Sequence, residues 1–224
     1  MTALITNVAI QKTTFKYEIP YMLLITAVLL VMGMTGNEIT FIEGVILWIL
    51  FIAYLLYLYI LAKKGNDSGD EQPVKLYPVW KCLLFIVLGG VCVVIGSQLV
   101  VNGATTIARA CGMSERFIGL TIVAFGTSLP ELVTSVSAAR KGNAGIAIGN
   151  IVGSNIFNIL FVIGTVALIC PVPFESRFVI DTVVAILCGV LLWGGTIRHK
   201  ELRKPCGVVM LLCYAAYFVY LAAM

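Results

Sequence analysis

Two stretches decide how this sequence folds: GLTIVAFGTSLPE, from Gly119 to Glu131, and GNIVGSNIFN, from Gly149 to Asn158. Each lies within a long apolar run, and Glu131 and Asn158 fall near the middle of theirs. Crossing roughly 30 Å of hydrocarbon at about 1.5 Å per residue takes about 20 apolar residues in a helix. Runs approaching or exceeding that length occur at 20–36, 39–62, 80–108, 116–139, 145–170, 176–197 and 205–224. The 224 residues are 60% hydrophobic and 12% charged, with a mean hydropathy of +1.03, which excludes a single soluble core. An open strand cannot satisfy its backbone in lipid. The expectation is therefore an all-α polytopic membrane protein with seven transmembrane helices.

The basic residues divide unevenly between the two ends of these spans. Lys12, Lys16, Lys63, Lys64, Lys75, Lys81, Arg140, Lys141, Arg198, Lys200, Arg203 and Lys204 share one side, and Arg109, Arg116 and Arg177 the other. The positive-inside rule makes the first side cytoplasmic, with the amino terminus inside and the carboxyl terminus outside. The formal charge of +4 then needs no nucleic-acid partner. Lys12 and Lys16 follow the first apolar stretch instead of preceding it, the wrong order for a secretory signal. The seven cysteines form no CxxC pair and read as small hydrophobes. Residues 63–79 read as a cytoplasmic linker between a two-helix segment, 1–62, and a five-helix membrane domain, 80–224. The linker acids Asp67, Asp70 and Glu71 lack the alternation of an EF-hand loop.

An internal repeat links the two ends of the chain. Gly44, Val45, Ala53, Tyr54, Tyr57 and Leu58 recur 163 residues on as Gly207, Val208, Ala216, Tyr217, Tyr220 and Leu221, and Glu18 meets Asp181. With one residue of slippage, Ala3, Leu4 and Ile5 meet Ala167, Leu168 and Ile169. An odd number of spans between the copies inverts one relative to the other, a building rule of secondary transporters. The spans from 80 to 165 should then also have a counterpart upstream of Met1. The expectation is either the carboxyl-terminal part of a longer protein or a chain whose second repeat comes from another polypeptide or from a homodimer.

The midplane residues carry the chemistry. An ionisable group at the bilayer centre costs about 2.5–3.5 kcal/mol on insertion scales, and no Lys or Arg lies in the core of any span to pair with Glu131. Glu131 must be protonated, hydrogen-bonded to neutral groups or neutralised by a bound cation, and its neighbours favour the cation. Pro130 cannot donate to the carbonyl of Gly126 and opens that turn. Carbonyls at the end of a half-helix carry the negative end of its dipole. Thr127 and Glu131 share a face with Ser128 beside them, and Gly149 and Gly153 are expected to let the next span approach closely. Gathered there are the hydroxyls of Thr127, Ser128 and Ser154, the carboxylate of Glu131 and the amide oxygen of Asn158. All-oxygen sites suit hard cations such as sodium and calcium. Asn155, Gln98 and Asn102 are candidates for bonds between helices. An intramembrane hydrolase built on Ser128 is disfavoured, because the segment is not GxSxG and His199 lies in a loop.

The same two stretches resemble the alpha-repeat of the calcium/cation antiporter superfamily, and most resemble the bacterial inner-membrane sodium/calcium exchangers. The resemblance covers the fourth to tenth spans of that ten-span inverted-repeat fold, lacking the first three helices. It implies that the carbonyl of Ala124 joins Thr127, Ser128, Glu131, Ser154 and Asn158 as ion ligands. It also implies sodium-driven calcium antiport across the inner membrane, with no enzymatic activity and no resident cofactor. Cation/proton antiport, or a fragment or subunit inactive without a second repeat, are the alternatives. Some members of that superfamily carry Asp where Asn158 stands, so the amide here removes one negative charge.

Overall fold

In a computed structural model, residues 3, 8–65, 78–113, 115–141, 144–197 and 200–223 are described. Most of the expected linker, residues 66–77, lies outside them, as do Arg198 and His199. In chain order the elements are β1 (Val8–Ala9), α1 (Ile19–Gly36), β2 (Glu38–Ile39), α2 (Phe41–Gly65), α3 (Val79–Ala110), α4 (Glu115–Ile118), α5 (Ala124–Thr127), α6 (Leu129–Arg140), α7 (Ala144–Phe157), α8 (Gly164–Ile169), β3 (Val172–Pro173), α9 (Ser176–Ile197), β4 (Glu201–Leu202) and α10 (Lys204–Ala223). Wider π turns at Thr14–Glu18, Gly119–Val123 and Asn158–Ile163 join α1, α5 and α8 to what precedes them. The strands are two-residue ladders, too short to leave an alternating pattern in the sequence, and they sit on an otherwise helical architecture.

The repeat is visible as geometry. β1 pairs antiparallel with β4, Val8 opposite Leu202 and Ala9 opposite Glu201, while β2 pairs with β3, Glu38 opposite Pro173 and Ile39 opposite Val172. Each ladder takes one strand from each copy, and exchanging the copies turns one ladder into the other. The left-handed turns follow the same relation: Asn37 (φ 54°) and Lys200 (φ 52°) are the non-glycine residues with positive φ among those described. The Phe174 amide donates to the Asn37 carbonyl at 2.7 Å, and the Ile10 amide to the Lys200 carbonyl at 2.9 Å. A Cβ on Gly44 would lie 3.0 Å from the Ala167 methyl, and one on Gly207 would lie 2.9 Å from the Ala3 methyl. Glycine is required at both because α2 and α10 approach their neighbours this closely. Near the centre of the relation α1 packs on α9. A Cβ on Gly189 would meet the Leu23 side chain at 2.6 Å.

The ladders also sort the ends of the helices. β1 with β4 brings the segment bearing Lys12 beside the loop bearing Lys200 and Arg203, and Gly145, after the turn bearing Arg140 and Lys141, lies against Gln11. β2 with β3 gathers Asn37, Glu175 and Arg177 at the opposite end. Loops expected on one side by charge are thus neighbours in space.

Of the seven expected spans, five to six meet the length and apolarity of a crossing among the described residues. Among the described residues five helices are long and apolar enough to cross a bilayer: Thr14–Gly36, Phe41–Lys64, Val79–Ala110, Gly145–Ile169 and Ser176–Ile197. The pair Thr121–Thr127 and Leu129–Arg140, bent by 48° at the break between them, is long and apolar enough for a sixth when its two helices are taken together. The seventh run forms a helix, α10, as expected. The physical reason for the bend is local: Ser128 takes φ −93° and ψ 0°, outside the helical well, and Pro130 follows in the first turn of α6.

Candidate cation site

α7 presents two faces with different duties. Ile148, Val152 and Ile156, followed by Leu160, are buried at 0–3% exposure against the repeat scaffold. This is the four-residue spacing of one helix stripe. The π turn that begins at Asn158 is fixed by rings from α2: Phe161 lies 5.3 Å from Trp48 and 5.5 Å from Phe51, and Phe157 lies 5.9 Å from Phe51. The Trp48 indole N–H donates to the Thr165 hydroxyl at 3.2 Å. Two positions past each member of the buried stripe, about 200° around the helix, stand Asn150, Ser154 and Asn158. The scaffold therefore holds α7 so that its polar stripe points away from the buried core.

That stripe meets α6. The Asn150 side-chain amide donates to the Thr134 hydroxyl at 3.0 Å, the Ser135 hydroxyl at 3.2 Å and the Glu131 carbonyl at 3.3 Å. The Ser135 hydroxyl, on a residue 2% exposed, reaches back to the Ala147 carbonyl at 3.5 Å. Asn150 is not among the expected site residues, although it stands four before Ser154 and eight before Asn158, on the same stripe of the helix.

The remaining candidates lie around the break. Ala124 opens α5, Thr127 closes it, and Ser128 is the exposed hinge, its amide donating to the Phe125 carbonyl at 3.1 Å. Gly126 lies against Val101 of α3, whose methyl a Cβ would strike. Glu131 is in the first turn of α6, where the positive end of the helix dipole favours a carboxylate. Its Oε2 is buried and has no hydrogen-bond partner among the described residues. The Ser154 hydroxyl donates to the Ile151 carbonyl at 3.0 Å, leaving its lone pairs to accept or ligate, and Asn158 is exposed at the start of its π turn. What the structure joins directly is the Glu131 turn and the α7 stripe, through Asn150.

One expectation is corrected. A Cβ on Gly149 or Gly153 would meet nothing within 4 Å, so these glycines border open space and do not carry the α6–α7 contact. The contact is carried by Asn150 and Ser135, which lie on another part of the surface of α7 and α6. Asn155 donates to the Ile151 carbonyl of its own helix at 2.8 Å. Among the described residues no three of His, Cys, Asp and Glu gather as a metal site, so the donors here are one carboxylate with hydroxyl, amide and carbonyl oxygens.

Comparison with known proteins bears on this arrangement. Residues 81–223 match the family model described as sodium/calcium exchanger protein. CaxA of Alkalimonas amylolytica, named as an antiporter, is 34% identical over 230 residues, covering 96% of this chain and 70% of the relative. The inner membrane protein YrbG of Escherichia coli is 30% identical over 231 residues, covering 94% of this chain and 67% of the relative. The solved structure of the sodium-calcium exchanger NCX_Mj, soaked with neither sodium nor calcium, superimposes with a TM-score of 0.78 at 31% identity. It is matched over 98% of this chain and 70% of its own.

Proposed function

This chain belongs to the sodium/calcium exchanger protein family, and we propose that it contributes one half of a site through which sodium entry drives calcium out. Membership supports cation antiport across a membrane by a multi-pass protein. The observation that carries the finer reading is the Glu131 carboxylate, with a buried oxygen that has no hydrogen-bond partner among the described residues, set beside a broken helix. A buried anion without a partner is costly, and a cation is the partner that repays the cost. Thr127 and the carbonyl of Ala124 supply the negative end of α5, Ser128 the hinge, Glu131 the charge, and Ser154 with Asn158 the wall from α7. Calcium takes six to eight oxygens, more than this set offers from its one side. The rest of the shell is assigned to a second repeat, from a longer form of the protein, another chain or a second copy. Sodium and calcium compete for the same oxygens, and rearrangement of the helices around them alternates access.

The test is the driving force. In vesicles holding the complete two-repeat assembly, an imposed sodium gradient is expected to drive calcium the opposite way, and a proton gradient of equal size is not. Calcium movement that follows the proton gradient and ignores sodium would transfer the assignment to cation/proton antiport.

The location assigned is a bacterial inner membrane, with the β1–β4 end cytoplasmic because it gathers the lysines and arginines. Cysteines substituted for Lys64 and Lys200 are expected to react with membrane-impermeant reagents only from the cytoplasmic side, and one at Glu175 only from outside. The reverse pattern would overturn the orientation.

A further inference from the structure

One stripe of α2 runs Ile49, Ile52, Leu56, Tyr59 and Lys63, spaced by three or four residues so that all lie on one face. Its four uncharged members are 50–68% exposed. Along it the chemistry passes from aliphatic, through a phenol, to an ammonium as the helix reaches the β1–β4 end. Lys64 stands beside Lys63 and two helical turns past Tyr57, on the side of α2 that Tyr57 occupies. The Tyr57 ring lies 6.1 Å from that of Tyr17, and the Lys16 ammonium sits 5.2 Å over the Tyr17 ring. Lys16, from the Thr14–Glu18 turn, and Lys63 and Lys64, from α2, are therefore exposed on two neighbouring elements at one end of the molecule. None of the three has an ion pair among the described residues. The opposite end differs: Arg109 binds Glu115 at 2.6 Å and Arg177 binds Glu175 at 2.9 Å. In sequence, Asp67, Asp70 and Glu71 follow Lys64, fewer acids than this end has lysines and arginines.

We propose that this stripe is a binding track for an anionic phospholipid, with an acyl chain along Ile49, Ile52 and Leu56 and the headgroup phosphate among Lys16, Lys63 and Lys64. Ammonium groups without acid partners leave a positive potential, and each one held near a bilayer surface adds to the attraction for anionic lipid. Tyr59 marks the depth, because phenol rings collect where hydrocarbon gives way to headgroups. A soluble anion would account for the lysines and leave the exposed aliphatic run beneath them unused. A neutral lipid would cover that run and leave the lysines without a counter-charge. An anionic phospholipid matches both, in the order in which the helix presents them. The track lies on α2, apart from Glu131 on α6, and is independent of the exchange assigned to that site.

Spin-labelled lipids test the track, since a lipid held at the protein surface gives a motionally restricted component in electron paramagnetic resonance. With the 224-residue chain in phosphatidylcholine vesicles at low salt, spin-labelled phosphatidylglycerol is expected to associate at least about threefold more strongly than spin-labelled phosphatidylcholine, a preference that shrinks as salt screens the lysines. Lys16→Gln, Lys63→Gln and Lys64→Gln together are expected to reduce it to within about 1.5-fold, and Lys16→Arg, Lys63→Arg and Lys64→Arg together, which keep the charges, to retain it. Arg140→Gln with Lys141→Gln, at the same end but outside the track, is expected to leave it in place. Inorganic phosphate is expected to displace no more label than chloride at equal ionic strength. Equal association of the two labels with the wild type, or a preference undiminished in the triple Gln variant, would overturn the proposal. So would equal loss in the Arg140 and Lys141 variant, which would make the attraction diffuse, or displacement specific to phosphate, which would make the ligand a soluble anion. A preference that disappears when the second repeat is joined would give the stripe to that repeat and overturn it too.

Discussion

Glu131→Gln is expected to reduce sodium-driven calcium flux through the complete assembly to background. The substitution keeps the volume and one acceptor oxygen, so the fold around Ser128 and the Asn150 bonds to α6 are left in place. What it removes is the carboxylate charge at the break, on a group whose Oε2 is buried without a hydrogen-bond partner among the described residues. Between unit charges about 4 Å apart the attraction is about 4 kcal/mol in an effective dielectric of 20, and a divalent ion feels it twice over. Loss of a fraction of that is already a loss of more than tenfold in affinity, since each 1.4 kcal/mol is about a factor of ten. Retention of more than about a tenth of the flux, roughly 1.4 kcal/mol of barrier, would remove Glu131 from the site.

Asn158→Asp is expected to act in the opposite direction. The amide supplies an oxygen without charge, on the same stripe of α7 as Ser154 and at the start of the π turn held by Phe161, Phe51 and Trp48. A second carboxylate facing the ion adds attraction of the same order as that of Glu131, less the repulsion between the two acids when no cation is bound. Calcium affinity is expected to rise by at least about tenfold, with a smaller gain for sodium because its charge is half. An unchanged calcium affinity would mean that Asn158 does not face the ion.

Much of the scaffold was legible because it is periodic or duplicated. The offset that joins Gly44 to Gly207 and Glu18 to Asp181 survives as paired ladders, paired left-handed residues and paired glycine contacts, and the one-residue slippage from Ala3 to Ala167 is the same slippage that relates β1 to β3. The broken fourth span was legible from Pro130, because a missing N–H has a local consequence. The π turns were not, since an extra residue per turn leaves apolar composition unchanged. The α6–α7 contact does not run through Gly149 and Gly153: small residues permit close approach without requiring it, and the side facing them is open among the described residues. Asn150 went unassigned because polar residues in apolar helices look alike until their partners are known. Its four-residue spacing from Ser154 was the signal that could have found it.

Equilibrium calcium binding to purified two-repeat protein in detergent tests, without the complications of flux, whether Glu131 anchors a site shared by calcium and sodium. The expected result is calcium binding by the wild type that sodium displaces competitively, tighter binding in Asn158→Asp, and none detectable in Glu131→Gln. Calcium binding undiminished in Glu131→Gln, or indifferent to sodium in the wild type, would contradict it.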